Sequence, residues 1–139
     1  LSRAVQFDFK GNYSHSATSN VDAVASVDKS RGKQLIYIPK DKANLFAEAD
    51  YKKYYLKVNA PFVGKRYTSS NNEESDYEKV LNPYWLIDLS AGRMFSFKPF
   101  NVDVSASVVN LTNTDYMAIL WRAMPGRYYS LTIQISYKK

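Results

Sequence analysis

Apolar and polar residues alternate with a period of two along most of this chain, a spacing that fits extended strands and not helices. Between Ala4 and His15 the odd positions carry Val5, Phe7, Phe9, Gly11 and Tyr13. The even positions carry Gln6, Asp8, Lys10, Asn12 and Ser14, so one strand there shows an apolar face and a polar one. The same pattern returns at Ala43–Tyr51, from Tyr54 to Tyr67, through Trp85, Ile87, Leu89, Ala91, Phe95 and Phe97, across 102–110, and from near Gly126 to Tyr137. The expectation is an all-β antiparallel meander of about six long strands.

The connections sort by length. Lys52-Lys53 and 98–101 read as short turns, which an antiparallel order places on one edge of the sheet. The polar stretches 16–34, 68–83 and 113–125 read as long loops on the other edge. Tyrosines and tryptophans gather near strand ends, among them Tyr13, Tyr51, Tyr54, Tyr84, Trp85, Tyr128 and Tyr137. Short turns on one side, long loops on the other and aromatic girdles describe an outer-membrane barrel. Period alone leaves a soluble ligand-binding barrel of the lipocalin kind open, because an apolar face packs against a protein core as readily as against lipid. Strands of ten residues or more and a heavily charged polar face favour lipid.

Composition narrows the classes further. No window approaches the roughly 18 apolar residues of a membrane helix, whereas a barrel strand crosses with about 10 residues, half of them apolar. There is no cysteine, so disulfides, thiolate metal sites and cysteine nucleophiles are excluded. The net charge of +6 is spread along strands and turns without a basic stripe or a nucleic-acid motif, which indicates a solvated basic surface and no nucleic acid. The chain opens at Leu1 inside an alternating stretch, so any signal sequence is expected upstream.

Four stretches carry a resemblance. They are Gly32-Lys33-Gln34-Leu35-Ile36-Tyr37-Ile38-Pro39, Val63-Gly64-Lys65-Arg66-Tyr67, Asn82-Pro83-Tyr84-Trp85-Leu86-Ile87-Asp88-Leu89, and the closing set Asn110, Leu111, Asn113, Tyr116, Pro125, Gly126, Arg127 and Tyr137. Their order and spacing resemble the C-terminal β-barrel segment of TonB-dependent receptors. One departure stands out: Lys138-Lys139 follow Tyr137, where the family usually ends on an aromatic residue. Locally, Asn110 and Asn113 flank the point where a strand ends, and short amide side chains bond freed backbone groups there.

The resemblance implies that the 139 residues form the last part of a 22-stranded transmembrane barrel, about its final six strands, with plug and TonB box elsewhere. It further implies a bacterial outer-membrane receptor that binds a scarce ligand (iron-siderophore, haem or cobalamin) and imports it with TonB-supplied energy. Its partners would be outer-membrane lipid and lipopolysaccharide, the rest of its own barrel and plug, TonB, and the small-molecule ligand. Six strands cannot close, so the first and last should lie at open edges. A porin-like or small outer-membrane barrel and a soluble ligand-binding barrel are the alternatives.

No catalytic constellation, cofactor motif or metal set is present, and no enzyme is expected. His15 stands alone at a strand end, and Glu73, Glu74 and Asp76 read as a solvated acidic loop rather than a calcium site. Glu48 and Asp50 fall on the lumen face as wall or plug contacts. For ligand contact the loop aromatics and one cation are the candidates: Trp121, Arg122 and Tyr77. Membrane-interface anchoring is the competing role for Trp121.

Overall fold

A computed structural model describes residues 4–22 and 29–137. The Lys138-Lys139 departure and the centre of the first long loop lie outside the described residues. Six long strands form one antiparallel meander: β1 (Gln6–His15), β2 (Asp41–Tyr51), β3 (Tyr54–Val63), then, after two-residue pieces β4 (Arg66–Tyr67), β5 (Val80–Leu81) and β6 (Tyr84–Trp85), β7 (Asp88–Phe97), β8 (Phe100–Val109) and β9 (Tyr128–Tyr137). Their spatial order is β1-β2-β3-β7-β8-β9, with β6 on β3 and β4-β5 a separate small ladder. The outer edges of β1 and β9 have no partner among the described strands, as six strands of a larger barrel require.

Register carries the sequence period into a two-faced sheet. Phe7 pairs with Ala49, Leu45 with Ala60, Leu56 with Ala91, Ala91 with Ala106 and Val104 with Ile133, so the apolar positions of neighbouring strands meet. That face is open: Phe9 is 74% exposed, Leu45 54% and Ile135 66%. Among the described residues the buried apolar side chains are Leu81, on the short β5, and Pro39, in the first connection, both outside the six long strands. The long strands therefore enclose no apolar core, and the soluble closed-barrel alternative loses its basis.

The other face is polar and internally paired. Glu48 and Lys57 face each other across β2 and β3 at 3.0 Å, and Ser90 meets Ser107 at 2.9 Å. Tyr55 on β3 lies across Gly92 on β7, and its hydroxyl donates to Asp103 on β8 at 2.9 Å. A Cβ at Gly92 would collide with that ring, so the glycine is the slot that lets one tyrosine bridge three strands.

Several boundaries differ from the sequence expectation, each for a local reason. The third strand stops at Val63 rather than Tyr67. There Gly64 approaches Asp41 so closely that a Cβ would lie 2.8 Å from the Asp41 carbonyl oxygen, and its N–H donates to that oxygen. The strand through Trp85 and Phe97 is interrupted at 86–87, because Pro61 opposite has no N–H to give the ladder. Leu86 N–H still reaches the Pro61 carbonyl at 3.0 Å, and β6 and β7 keep one register on β3. The 98–101 turn contracts to Lys98-Pro99, joined by a cis peptide, and Phe100-Asn101 open β8. The ends of the first and last strands move to Gln6 and Tyr128.

Candidate functional site

Both two-residue turns lie at one end of the sheet and all three long connections at the other. The long connections hold the candidate site. Their bases are tied to one another by the stretches that carry the family resemblance.

Arg66 is the centre of the knot. Gly64 ends β3 and the chain then turns into β4, which delivers the guanidinium inward, 3% exposed. It donates to the carbonyls of Met117 at 2.9 Å and Ala118 at 3.1 Å in the third connection, and to Asn82 at 3.4 Å. Its Cζ lies 5.2 Å from the centre of the Tyr84 ring, which packs in turn against Tyr116, tilted by 44° with centroids 4.6 Å apart. No carboxylate among the described residues accompanies it, and burial pushes the guanidinium below its usual value. Carbonyl dipoles and a π face take the place of a counter-ion.

The first connection joins the same assembly. Gln34 N–H donates to Asn72 Oδ1 at 2.6 Å, and Asn72 Nδ2 returns a bond to the Gln34 carbonyl at 2.9 Å. Gln34 Nε2 donates to the Ile38 carbonyl at 2.6 Å, and Tyr37 N–H to the Tyr67 carbonyl at 2.8 Å. Within the second connection Lys79 pairs with Glu73, and Glu74 accepts from both Lys65 at 2.6 Å and the Tyr67 hydroxyl at 2.5 Å. These bonds hold both glutamate carboxyls below the usual range. Asp76 instead caps a single 3-10 turn, Tyr77–Lys79. The three acids thus point to separate partners.

The closing set forms the exit from β8. Asn110 is 1% exposed and adopts φ 53°, a left-handed conformation that asparagine tolerates. Its Oδ1 accepts from Thr114 N–H and its Nδ2 donates to the Thr114 carbonyl, both at 2.9 Å, while its own N–H donates to Asp88. Asn113, at φ 52°, accepts from Arg127 N–H at 3.0 Å beside Gly126, where the last strand re-enters. The Arg127 side chain has no partner among the described residues. Tyr137, at the far end of β9, meets Phe100 edge-on at 5.6 Å.

The ligand candidates are not brought together. Tyr77 is 78% exposed on the second connection, its hydroxyl donating to Glu78 at 3.2 Å. It lines a cleft of about 270 Å³ with Leu81, Asn82, Tyr84, Asp115, Tyr116 and Met117. Trp121 and Arg122 lie on the third connection outside that cleft, Trp121 70% exposed and at φ 60°. His15 Nδ1 and the Tyr13 hydroxyl both meet Asp41 Oδ1, at 2.7 and 2.6 Å. Among the described residues no group of three acids or histidines is placed to hold a metal ion. Arg66 and Gln34 were legible only as parts of family-like stretches. Their role escaped the sequence, because strand period says nothing about a residue beyond the strand.

Residues 2–111 match the family described as TonB dependent receptor-like, beta-barrel. The chain belongs to that family. Its members are outer-membrane transport receptors, not enzymes. The match ends at Leu111, so Asn113, Tyr116 and the Pro125-Gly126-Arg127 approach rest on resemblance and geometry alone. Among solved structures, the fold is similar to BauA, the ferric preacinetobactin receptor from Acinetobacter baumannii, with a TM-score of 0.60 and 23% identity over 76% of this chain. This chain spans 16% of that receptor's length. No curated protein sequence matches it.

Proposed function

We propose that the chain is the final portion of the barrel of an outer-membrane active-transport receptor. The observation that carries this reading is the sheet itself. Six strands with open edges present an exposed apolar face, and all three long connections knot together at one end. In a family of plugged transport barrels, that end faces the medium and the two-residue turns face the periplasm.

On this reading, scarce ligand is captured among the long connections and imported with energy from TonB, acting through a plug and TonB box in the remainder of the protein. Iron-siderophores come first among the ligand classes, ahead of haem and cobalamin, because the similar solved receptor is named for a ferric siderophore. Tyr77 in its cleft, with Trp121 and Arg122, would supply part of the capturing wall. A cleft of about 270 Å³ is smaller than most complete ligand sites, so other loops must contribute to it. The apolar face would meet membrane lipid, and lipopolysaccharide would surround the loop end.

Uptake of labelled ferric siderophores, haem and cobalamin by cells carrying the full-length receptor, with and without TonB, tests this. TonB-dependent uptake of one class is expected, while passive, TonB-independent passage of small solutes would identify a porin instead.

A further inference from the structure

The lipid-facing side of the six long strands carries one arginine. Arg93 on β7 shares that face with Ala91 and Phe95, and it pairs in register with Tyr54 on β3 and Val104 on β8. The only other charged or titratable strand positions there besides tyrosines, His15 and Asp41, lie at the loop end and bond each other. Arg93 is exposed and has no hydrogen-bonded or ionic partner among the described residues. Its guanidinium is held between two rings, 4.8 Å from Tyr54 and 4.7 Å from Phe95.

Tyr54 pairs across the short turn with Tyr51, and Lys52 Nζ lies 4.9 Å from the Tyr51 ring. The turn is fastened to β7 by Met94 N–H donating to the Lys53 carbonyl at 2.9 Å. The result is a row of cation, ring, ring and cation along the short-turn end. The carboxylates at this end, Asp50 and Asp103, belong to the polar face, where they pair in register with Tyr55 and Met94.

We propose that this row binds the phosphodiester headgroup of an anionic phospholipid, such as phosphatidylglycerol, in the periplasmic leaflet. Stacking orients the planar guanidinium and leaves its N–H fork free, and that fork matches two phosphate oxygens. Lys52 adds a second positive charge, and an anionic headgroup gains with each basic side chain near the membrane surface. Water alone would satisfy a snorkelling arginine but would not require two rings to fix it.

The inference rests on the membrane reading, and the test separates the two. Full-length receptor is reconstituted into vesicles of phosphatidylcholine with 20% phosphatidylglycerol (about one lipid in five, a common anionic fraction). Flotation shows whether it inserts, and native mass spectrometry then counts the phospholipids it retains. Wild-type protein is expected to float and to retain phosphatidylglycerol over phosphatidylcholine. Arg93→Gln should float equally, yet retain about fivefold less phosphatidylglycerol, with a smaller loss for Lys52→Gln. Heat-modifiable gel migration verifies that each variant is folded, and Lys52→Gln carries the test alone if Arg93→Gln is not. Equal retention by the folded variants, no preference by the wild type, or displacement of the lipid by millimolar inorganic phosphate alone would overturn the headgroup site. Failure of the wild type to float would overturn the membrane reading, and this proposal with it.

Discussion

At the scale of single residues, the polar face turns on a size relation rather than on charge. Tyr55 reaches Asp103 only because Gly92 leaves the intervening strand flat. Gly92→Ala should therefore destabilise the full-length barrel by about 1–3 kcal/mol, the usual cost of overpacking. In a Tyr55→Ala background the same change should cost less than about 0.5 kcal/mol, since the colliding ring is gone. Urea titrations of the four proteins in micelles measure the coupling, and additive costs would contradict the bridge. Asn110 is the counterpart at the strand exit. Left-handed backbone and two side-chain bonds to Thr114 make an amide the fitting choice there, which residue type alone already suggested.

At the scale of elements, the three long connections behave as one assembly because Arg66, Gln34 and Asn72 bond across them. Arg66→Ala removes a buried charge and leaves the Met117 and Ala118 carbonyls without their donor. Hydrogen exchange at amides 111–122 should rise roughly 10- to 100-fold, while β7 and β8 keep their protection, because a charge-assisted bond contributes about 1.5–3 kcal/mol. Uniform loss of protection would mean global unfolding instead. The second connection should also respond to pH. Its glutamates are held below their ordinary value by bonds from Lys79 and from Lys65 with Tyr67. A depressed carboxylate stabilises the folded loop above its unfolded pKa and stops doing so as pH falls through the folded one. A nitroxide at position 70 should thus be equally immobile from neutral pH down to the ordinary glutamate range and gain mobility only below that range. Mobility rising near pH 6 would rule the ion pairs out as its cause.

At the scale of the whole molecule, the two faces predict a depth profile. Spin labels at 131, 133 and 135 of the full-length receptor in vesicles should be reached by oxygen and shielded from water-soluble nickel complexes. Labels at 130, 132 and 134 should show the reverse wherever the lumen is wet. Loss of the alternation would refute the lipid-facing assignment.

Sequence by itself determined the all-β class, the six long strands, both short turns and the face each strand residue occupies, because a pleated strand converts parity directly into side. Phe9, Leu45 and Ile135 needed no structure to be placed together. It also determined that such a sheet must have open edges. Only the tertiary structure decided that Arg66 is buried among carbonyls, that Gly92 admits Tyr55, that Pro61 interrupts a ladder without shifting its register, and that Tyr77 lies apart from Trp121 and Arg122. Each depends on which residues meet across long sequence separations. A period of two fixes the side of the sheet a residue faces, but not what it touches once the chain leaves the strand.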